Sequence, residues 1–401
     1  MPSRIILVII LLTLIVLPIT GSSGIPWNTV PATMETTETT PQVHVEANPA
    51  PSDKSASPAP EEQPDKTVAG ALSPLPEESS SEQEENDPPA SQNDDGKTSV
   101  EEVQDEEQVV IADSFPSPDM CIWEYTVFKN EVLAIIDQAE RSSGIKTVYG
   151  VFVLDLVNNY SCGVNENLTR IDPYDNMEEG YFNSASVIKL FQGYILCDMM
   201  RRGELNVDEV YYDSVTGRRF KLLRMIRDMI SYSDNNYSNA ALRLIGNQKS
   251  NEVLNRLGIH KSRIYGEMSG AIGYSRENNL KKYGTVKRCA RITPRDTGLI
   301  LYNIYINREN DIYMETLNKA LIGNIYSTRI PAGVSRVNRD YEIAHKTGTN
   351  SHLGVYNDAG IIYCKRPFIL VAFTQSTSSS AGQNFIRSLA EQLTRYFDSK
   401  A

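Results

Sequence analysis

The chain predicts an α/β fold: an antiparallel sheet built from strands at the two ends of one domain, flanked by helices, with a helical sub-domain inserted between them. Three observations predict it. A β-rich run at 147–156 stands early in the apolar part of the chain. Strand-like runs return only at 342–346, 355–363 and 368–375. The stretch between, 186–330, carries mostly helical spacing of its apolar residues. Strands far apart in sequence and joined by helices imply a sheet closed by the chain termini, and a cleft where the two parts meet.

Charge divides the 401 residues unevenly. Residues 26–119 hold 22 acids and three bases, whereas residues 120–401 hold 29 acids and 35 bases. The sequence pI of about 5.0 therefore describes the acidic stretch, not the folded part. A small cationic surplus spread over 282 residues forms no basic stripe, which argues against nucleic acid as a partner. Only one apolar run, residues 5–19, is long enough to matter to a membrane, so a transporter is excluded. Preceded by Arg4, broken by Pro18 and followed by Gly21, Ser22 and Ser23, it reads as an export signal or an uncleaved signal-anchor within residues 1–25. Either places the protein outside the cytoplasm, secreted or held on the outer face of the membrane. The Pro-, Ser-, Thr- and Glu-rich residues 26–119 cannot bury enough apolar surface to offset ordering, and read as a disordered acidic linker. Residues 120–401 then form the folded domain, expected as a monomer. Five cysteines without CxxC spacing make neither a disulfide framework nor a zinc site; Cys197, in an apolar helical run, reads as core.

The elements follow in order. Residues 124–142 place Tyr125, Phe128, Val132, Ile135, Ile136 and Ala139 at the three-and-four spacing of an amphipathic helix. The strand at 147–156 turns at Asn158-Asn159 into a second near 160–164. Residues 185–200 are apolar nearly all round, as in a buried helix. Thr293-Pro294 with Asp296 is an N-cap, a first-position proline and a first-turn acid. Arg366-Pro367 turns the last two strands, and a final helix covers about 384–397.

Three short motifs carry chemistry. In Ser186-Val-Ile-Lys189 the serine opens the buried helix, and the lysine three residues on shares its face. A lysine held among apolar residues resists protonation and can accept the serine proton. A second Ser-x-x-Lys, Ser143 to Lys146, runs into a strand and lacks such a helix. Ser233-Asp234-Asn235 stands 47 positions after Ser186 at a helix-to-helix turn. It is good capping chemistry, or else a hydroxyl that relays protons beside an Asn235 that anchors the network or a substrate amide. Lys346-Thr347-Gly348 follows 113 positions after Ser233 at a strand end, where a cation and a hydroxyl can hold a carboxylate. Gly348 permits close approach, and the Thr349 N–H with that of Ser186 would form an oxyanion hole.

Each motif alone reads as a cap or a strand end; the three together, in this order, do not. The arrangement resembles the penicillin-recognising serine hydrolases, class A β-lactamases and penicillin-binding proteins, over roughly residues 122–400. The resemblance implies a β-lactamase-like fold and acyl transfer without metal or cofactor. Its substrate would be a β-lactam or a peptidoglycan stem peptide. It makes Ser186 the acylated nucleophile, Lys189 its base and Ser233 the relay, with Lys346 and Thr347 holding the ligand carboxylate. Class A members carry a water-activating Glu on a loop 17 positions before the proline of a Thr-Pro, which here is Glu277. The chain departs from that loop in two places. Lys281 stands where the family has Asn, four residues from Glu277 and able to pair with it. Ala290 stands where it has an acid. These departures predict ready acylation and slow deacylation. The resemblance implies β-lactamase-type hydrolysis of the lactam amide through an acyl-enzyme; a penicillin-binding D-alanyl-D-alanine peptidase with slow deacylation and a non-catalytic wall-binding module are the competing readings.

Overall fold

The computed structural model describes residues 109–116, 121–167, 182–284 and 289–401. The export segment and most of the acidic linker lie outside the described residues. The domain begins with helix α1 (Ile122–Ser143) and strands β1 (Tyr149–Asp155), β2 (Ser161–Val164) and β3 (Phe182–Asn183). A 3-10 turn, Ala185–Val187, leads into α2 (Ile188–Arg201). Next come β4 (Tyr211–Asp213), β5 (Arg218–Phe220), α3 (Leu222–Ser231), α4 (Asn235–Ile245), α5 (Asn247–Arg256), β6 (Arg263–Ile264) and α6 (Arg276–Tyr283). Then follow β7 (Ala290–Ile292), α7 (Pro294–Asn307), α8 (Ile312–Ile322) and α9 (Ile330–Val334). Strands β8 (Glu342–Asn350), β9 (Val355–Tyr363) and β10 (Phe368–Thr374) and helix α10 (Ser379–Ser399) complete it.

The main sheet has the order β2-β1-β10-β9-β8, with every neighbouring pair antiparallel. The N-terminal strand thus pairs with the last one, Val151 opposite Ala372, as the terminal-strand reading requires. Every residue of β1 is buried because both faces of the sheet are covered, so the run is continuously apolar instead of alternating. Val151 and Val153 meet α1 and α10 in one core; Phe152 and Leu154 meet the helical part in the other. The Asn158-Asn159 turn places Asn159 at φ 57°, a left-handed conformation Asn tolerates well.

Three local features depart from the expectations. Strand β8 does not end at Lys346 but runs on through Thr347 and Gly348 to Asn350. The middle of the chain contains the β4–β5 hairpin and the short β3-β7-β6 sheet besides its helices. Ordered contacts also reach back to residues 109–116. The Asn303 amide donates to Ala112 O and accepts from Ala112 N, both at 2.8 Å, and the Asn307 amide donates to Val110 O. Phe115 packs on Phe152 with ring centroids 5.0 Å apart. All five cysteines are free thiols, and Cys197 is fully buried within α2. Among the described residues no helix is long and apolar enough to cross a membrane.

Candidate active site

The buried helix α2 is not amphipathic: from Ile188 to Met200 every residue is buried, Lys189 included. Its first turn therefore lies in the interior, and the 3-10 turn ahead of it leaves Ser186 half-buried beside Lys189. Ala185 in that turn has φ 41° and Ser233 has φ 58°. Two non-glycine residues in the left-handed region flank one cluster, at a cost of about 1–3 kcal/mol each that the surrounding packing sustains. At the second, Asp234 caps α4 by accepting from Asn236 N and Tyr237 N, which fixes Ser233 and Asn235 on either side of it.

Lys189 Nζ is the centre of the cluster. It lies 2.9 Å from Ser186 Oγ, 2.6 Å from Ser233 O, 3.0 Å from Ser233 Oγ and 2.7 Å from Asn235 Oδ1. The Asn235 amide orientation is set by its Nδ2, which donates to Ser269 O. Two of the four partners, Ser233 O and Asn235 Oδ1, can only accept. A neutral amine has two N–H groups for these two acceptors, and its lone pair is left for a hydroxyl proton. Burial, and after it the positive charge of Lys346, holds the Lys189 ammonium well below its ordinary range around 10.5, against smaller opposing effects of Asp234 and Cys289. Acylation that uses Lys189 as base is therefore expected to rise with pH as this lysine deprotonates, and to do so below the ordinary lysine range. Acylation rates measured against pH check this; a rise only near pH 10.5 would contradict it.

Strand β8 is the edge of the main sheet, and it packs against the 3-10 turn. A Cβ on Gly348 would stand 2.7 Å from Ser184 O, so a side chain there would push the strand away from the turn that carries Ser186. Lys346 is fully buried; its Nζ donates to Ser233 Oγ at 3.1 Å and to Thr347 O at 3.0 Å. Ser233 Oγ thus lies between two lysine nitrogens. Five residues from three distant stretches, Ser186, Lys189, Ser233, Asn235 and Lys346, meet in one connected network, with Thr347, Gly348 and Thr349 on the strand beside it.

Glu277 is not brought to this network. It lies exposed in the first turn of α6, where Ser275 caps the helix, and no hydrogen bond or ion pair joins it to Lys281 or to the cluster among the described residues. The reason is helix phase. Asn279 is buried and anchors α6 inward by exchanging bonds with the Glu267 backbone. Glu277, two residues earlier, points about 200° away around the helix axis. The segment that does approach the network is Met268-Ser269. Asn239 Oδ1 accepts from Met268 N at 2.7 Å, Asn239 Nδ2 donates to Met268 O at 2.9 Å, and the Ser238 hydroxyl lies 3.3 Å from Met268 Sδ. Ser238 Oγ donates in turn to Gln192 Oε1, one helical turn beyond Lys189. The neighbouring carboxylate, Glu267, is held by Arg243 at 2.8 Å.

Arg329 has no motif around it and was not legible in the sequence. It is fully buried, with Nη2 donating to Thr349 Oγ1 at 2.6 Å and Nη1 to Asn357 O at 3.0 Å. Behind it, Asp358 accepts from Ile330 N and contacts His345 Nδ1 at 2.9 Å. Burial raises the Asp358 pKa, but His345, Arg329 and the Ile330 N–H together outweigh it and hold the carboxyl below its usual range. This group ties Thr349 and His345 of β8 to Asn357 and Asp358 of β9. Only the Ile-Pro after Arg329, which opens the short α9, could have drawn attention to it.

A serine beside a buried lysine, a second hydroxyl between two lysines and an edge strand next to the serine form an arrangement suited to serine acyl-enzyme chemistry. The chain belongs to the β-lactamase enzyme family, whose description matches residues 131–397. No curated protein sequence matches it. Solved structures share the fold at low identity. A β-lactamase from Xanthomonas campestris pv. campestris is 19% identical with a TM-score of 0.53, covering 67% of this chain and 97% of its own. One from Sphaerobacter thermophilus is 18% identical with a TM-score of 0.53, over 67% and 97%. The structure described as PBP-A is 18% identical with a TM-score of 0.52, over 67% and 96%.

Proposed function

We propose that this protein is acylated on Ser186 by β-lactams and releases the acyl group slowly, in the manner of a penicillin-binding protein. The observation that carries the reading is the Lys189 amine, buried, bonded to two obligate acceptors and 2.9 Å from Ser186 Oγ. Lys189 takes the Ser186 proton as the oxygen attacks the lactam carbonyl carbon. The Ser186 and Thr349 N–H groups receive the developing oxyanion. The C–N bond breaks, Ser233 hands its proton to the leaving nitrogen, and Ser233 is reprotonated through Lys189. Lys346 and Thr347 hold the carboxylate of the ligand, and the product is an ester on Ser186. Hydrolysis of that ester requires a water beside a base. The outward position of Glu277 favours a long-lived ester over fast β-lactamase turnover. The convergence of four reactive side chains favours an enzyme over a pure wall-binding module. The protein acts outside the cytoplasm, on or near the membrane that residues 5–19 address. Mass spectrometry after brief exposure to a labelled penicillin tests the reading: an adduct on the Ser186 peptide is expected, and its absence refutes it.

The carboxylate clamp has its own expected result. Lys346→Ala removes a charge-assisted hydrogen bond worth about 1.5–3 kcal/mol from anionic ligands only. Acylation by penicillin is expected to fall roughly ten- to hundredfold more than acylation by a neutral ester analogue. Equal losses for both ligands would contradict the assignment.

A further inference from the structure

A cleft of about 290 Å³ opens on the face of the main sheet that α1 and α10 cover. Phe128, Tyr160 and Phe397 line it and belong to the core on that face, whereas Ile188 and Leu190, on either side of Lys189, belong to the core on the other. No residue of the Ser186 network lines it. Rings make much of its wall. The Phe128 centroid lies 5.8 Å from that of Tyr160 and 6.4 Å from that of Phe397, and Tyr396 follows Phe397 at 5.1 Å. Trp123, at the second position of α1, also lines the cleft but is 74% exposed. Among the described residues no other ring and no cation stacks on its indole, so a ligand can cover that surface.

Five charged side chains line the same cleft, and four of them cancel in pairs. Arg366 Nε donates to Asp155 Oδ1 at 3.1 Å, and Lys400 Nζ lies 3.1 Å from Glu131 Oε2. The fifth, Glu124, has no cationic partner among the described residues; the Tyr160 hydroxyl donates to its Oε2 at 3.3 Å. The cleft therefore carries one uncompensated negative charge beside an open indole.

We propose that this cleft binds a small organic cation, an alkyl-substituted or quaternary ammonium. Its charge meets the Glu124 carboxylate, and its carbon substituents cover the Trp123 indole. The two features select the same ligand. The face of an aromatic ring is the negative pole of its quadrupole and attracts a cation, as the carboxylate does, whereas an anion is repelled by both. The volume stands at the lower end of the range for small-molecule pockets, so it suits a few carbon atoms around one nitrogen and not a polymer.

Choline titrated into the full chain tests this without reference to catalysis, with saturation transfer to its methyl protons read by NMR. The control is the neutral alcohol in which a tert-butyl group replaces the trimethylammonium group, a ligand of the same shape without the charge. Saturable binding of choline is expected, tighter than that of the alcohol by roughly 2- to 30-fold. Trp123→Ala is expected to weaken choline by roughly the same factor. Glu124→Gln is expected to weaken choline by up to about fivefold and to leave the alcohol unchanged. Both side chains are exposed, so neither substitution disturbs the core. No saturable binding of choline, equal binding of the alcohol, or a choline affinity unchanged in both variants would overturn the proposal.

Discussion

Ser186→Ala is expected to abolish labelling by penicillin, while Ser143→Ala leaves it unchanged. The sequence contains Ser-x-x-Lys at both positions, and the structure separates them. Ser143 is the last residue of α1; its hydroxyl donates to Glu140 O and accepts from Ile145 N. Gly144 at φ 69° then ends the helix, so Lys146 does not share a helical face with Ser143. Ser186 has a buried amine at 2.9 Å and an edge strand beside it. Without its Oγ no ester can form, so the loss is complete. Lys189→Ala keeps the Ser186 hydroxyl and removes the amine beside it, and is expected to slow acylation by about 100- to 10,000-fold. Intact-protein mass measured against time distinguishes the three variants. A labelled Ser186→Ala protein would refute the nucleophile assignment.

Slow decay of the acyl-enzyme is the second large effect expected. Stopped-flow measurement with a chromogenic cephalosporin is expected to show a burst of about one equivalent followed by slow turnover. Glu277→Gln is expected to leave both phases unchanged, because that side chain points to solvent from α6. Met268→Glu is expected to speed the second phase. Its backbone is held at both N and O by one asparagine amide, and its side chain lies on Ser238, one helical turn from Lys189. A carboxylate there would be positioned without further ordering, and a general base contributes about 100- to 10,000-fold. Fast multiple turnover by the unmodified protein, stopped by Glu277→Gln, would show that the helix α6 geometry is not the one that acts.

What the sequence determined by itself was set by local spacing and by composition. The β-rich run at 147–156 and the three-and-four spacing at 124–142 follow from which residues are buried, and such patterns survive without knowledge of neighbours. Ser186 and Lys189 share a face because helical geometry places residues three apart together, and Thr293-Pro294 with Asp296 opens α7 as helix capping dictates. Glu277 shows the limit of reasoning by distance along the chain. A count of 17 residues locates a position on a loop, but helix phase decides which way it faces, and the buried Asn279 set that phase. Only the tertiary structure brought Ser233 Oγ between Lys189 and Lys346, since no local rule relates residues 44 and 113 positions apart. Arg329 belongs to the same class: its partners, Thr349 and Asn357, come from two other strands, and its burial is a property of the packed sheet edge. The lowered Lys189 pKa is tertiary for the same reason, because desolvation arises only when α2 is enclosed on every side.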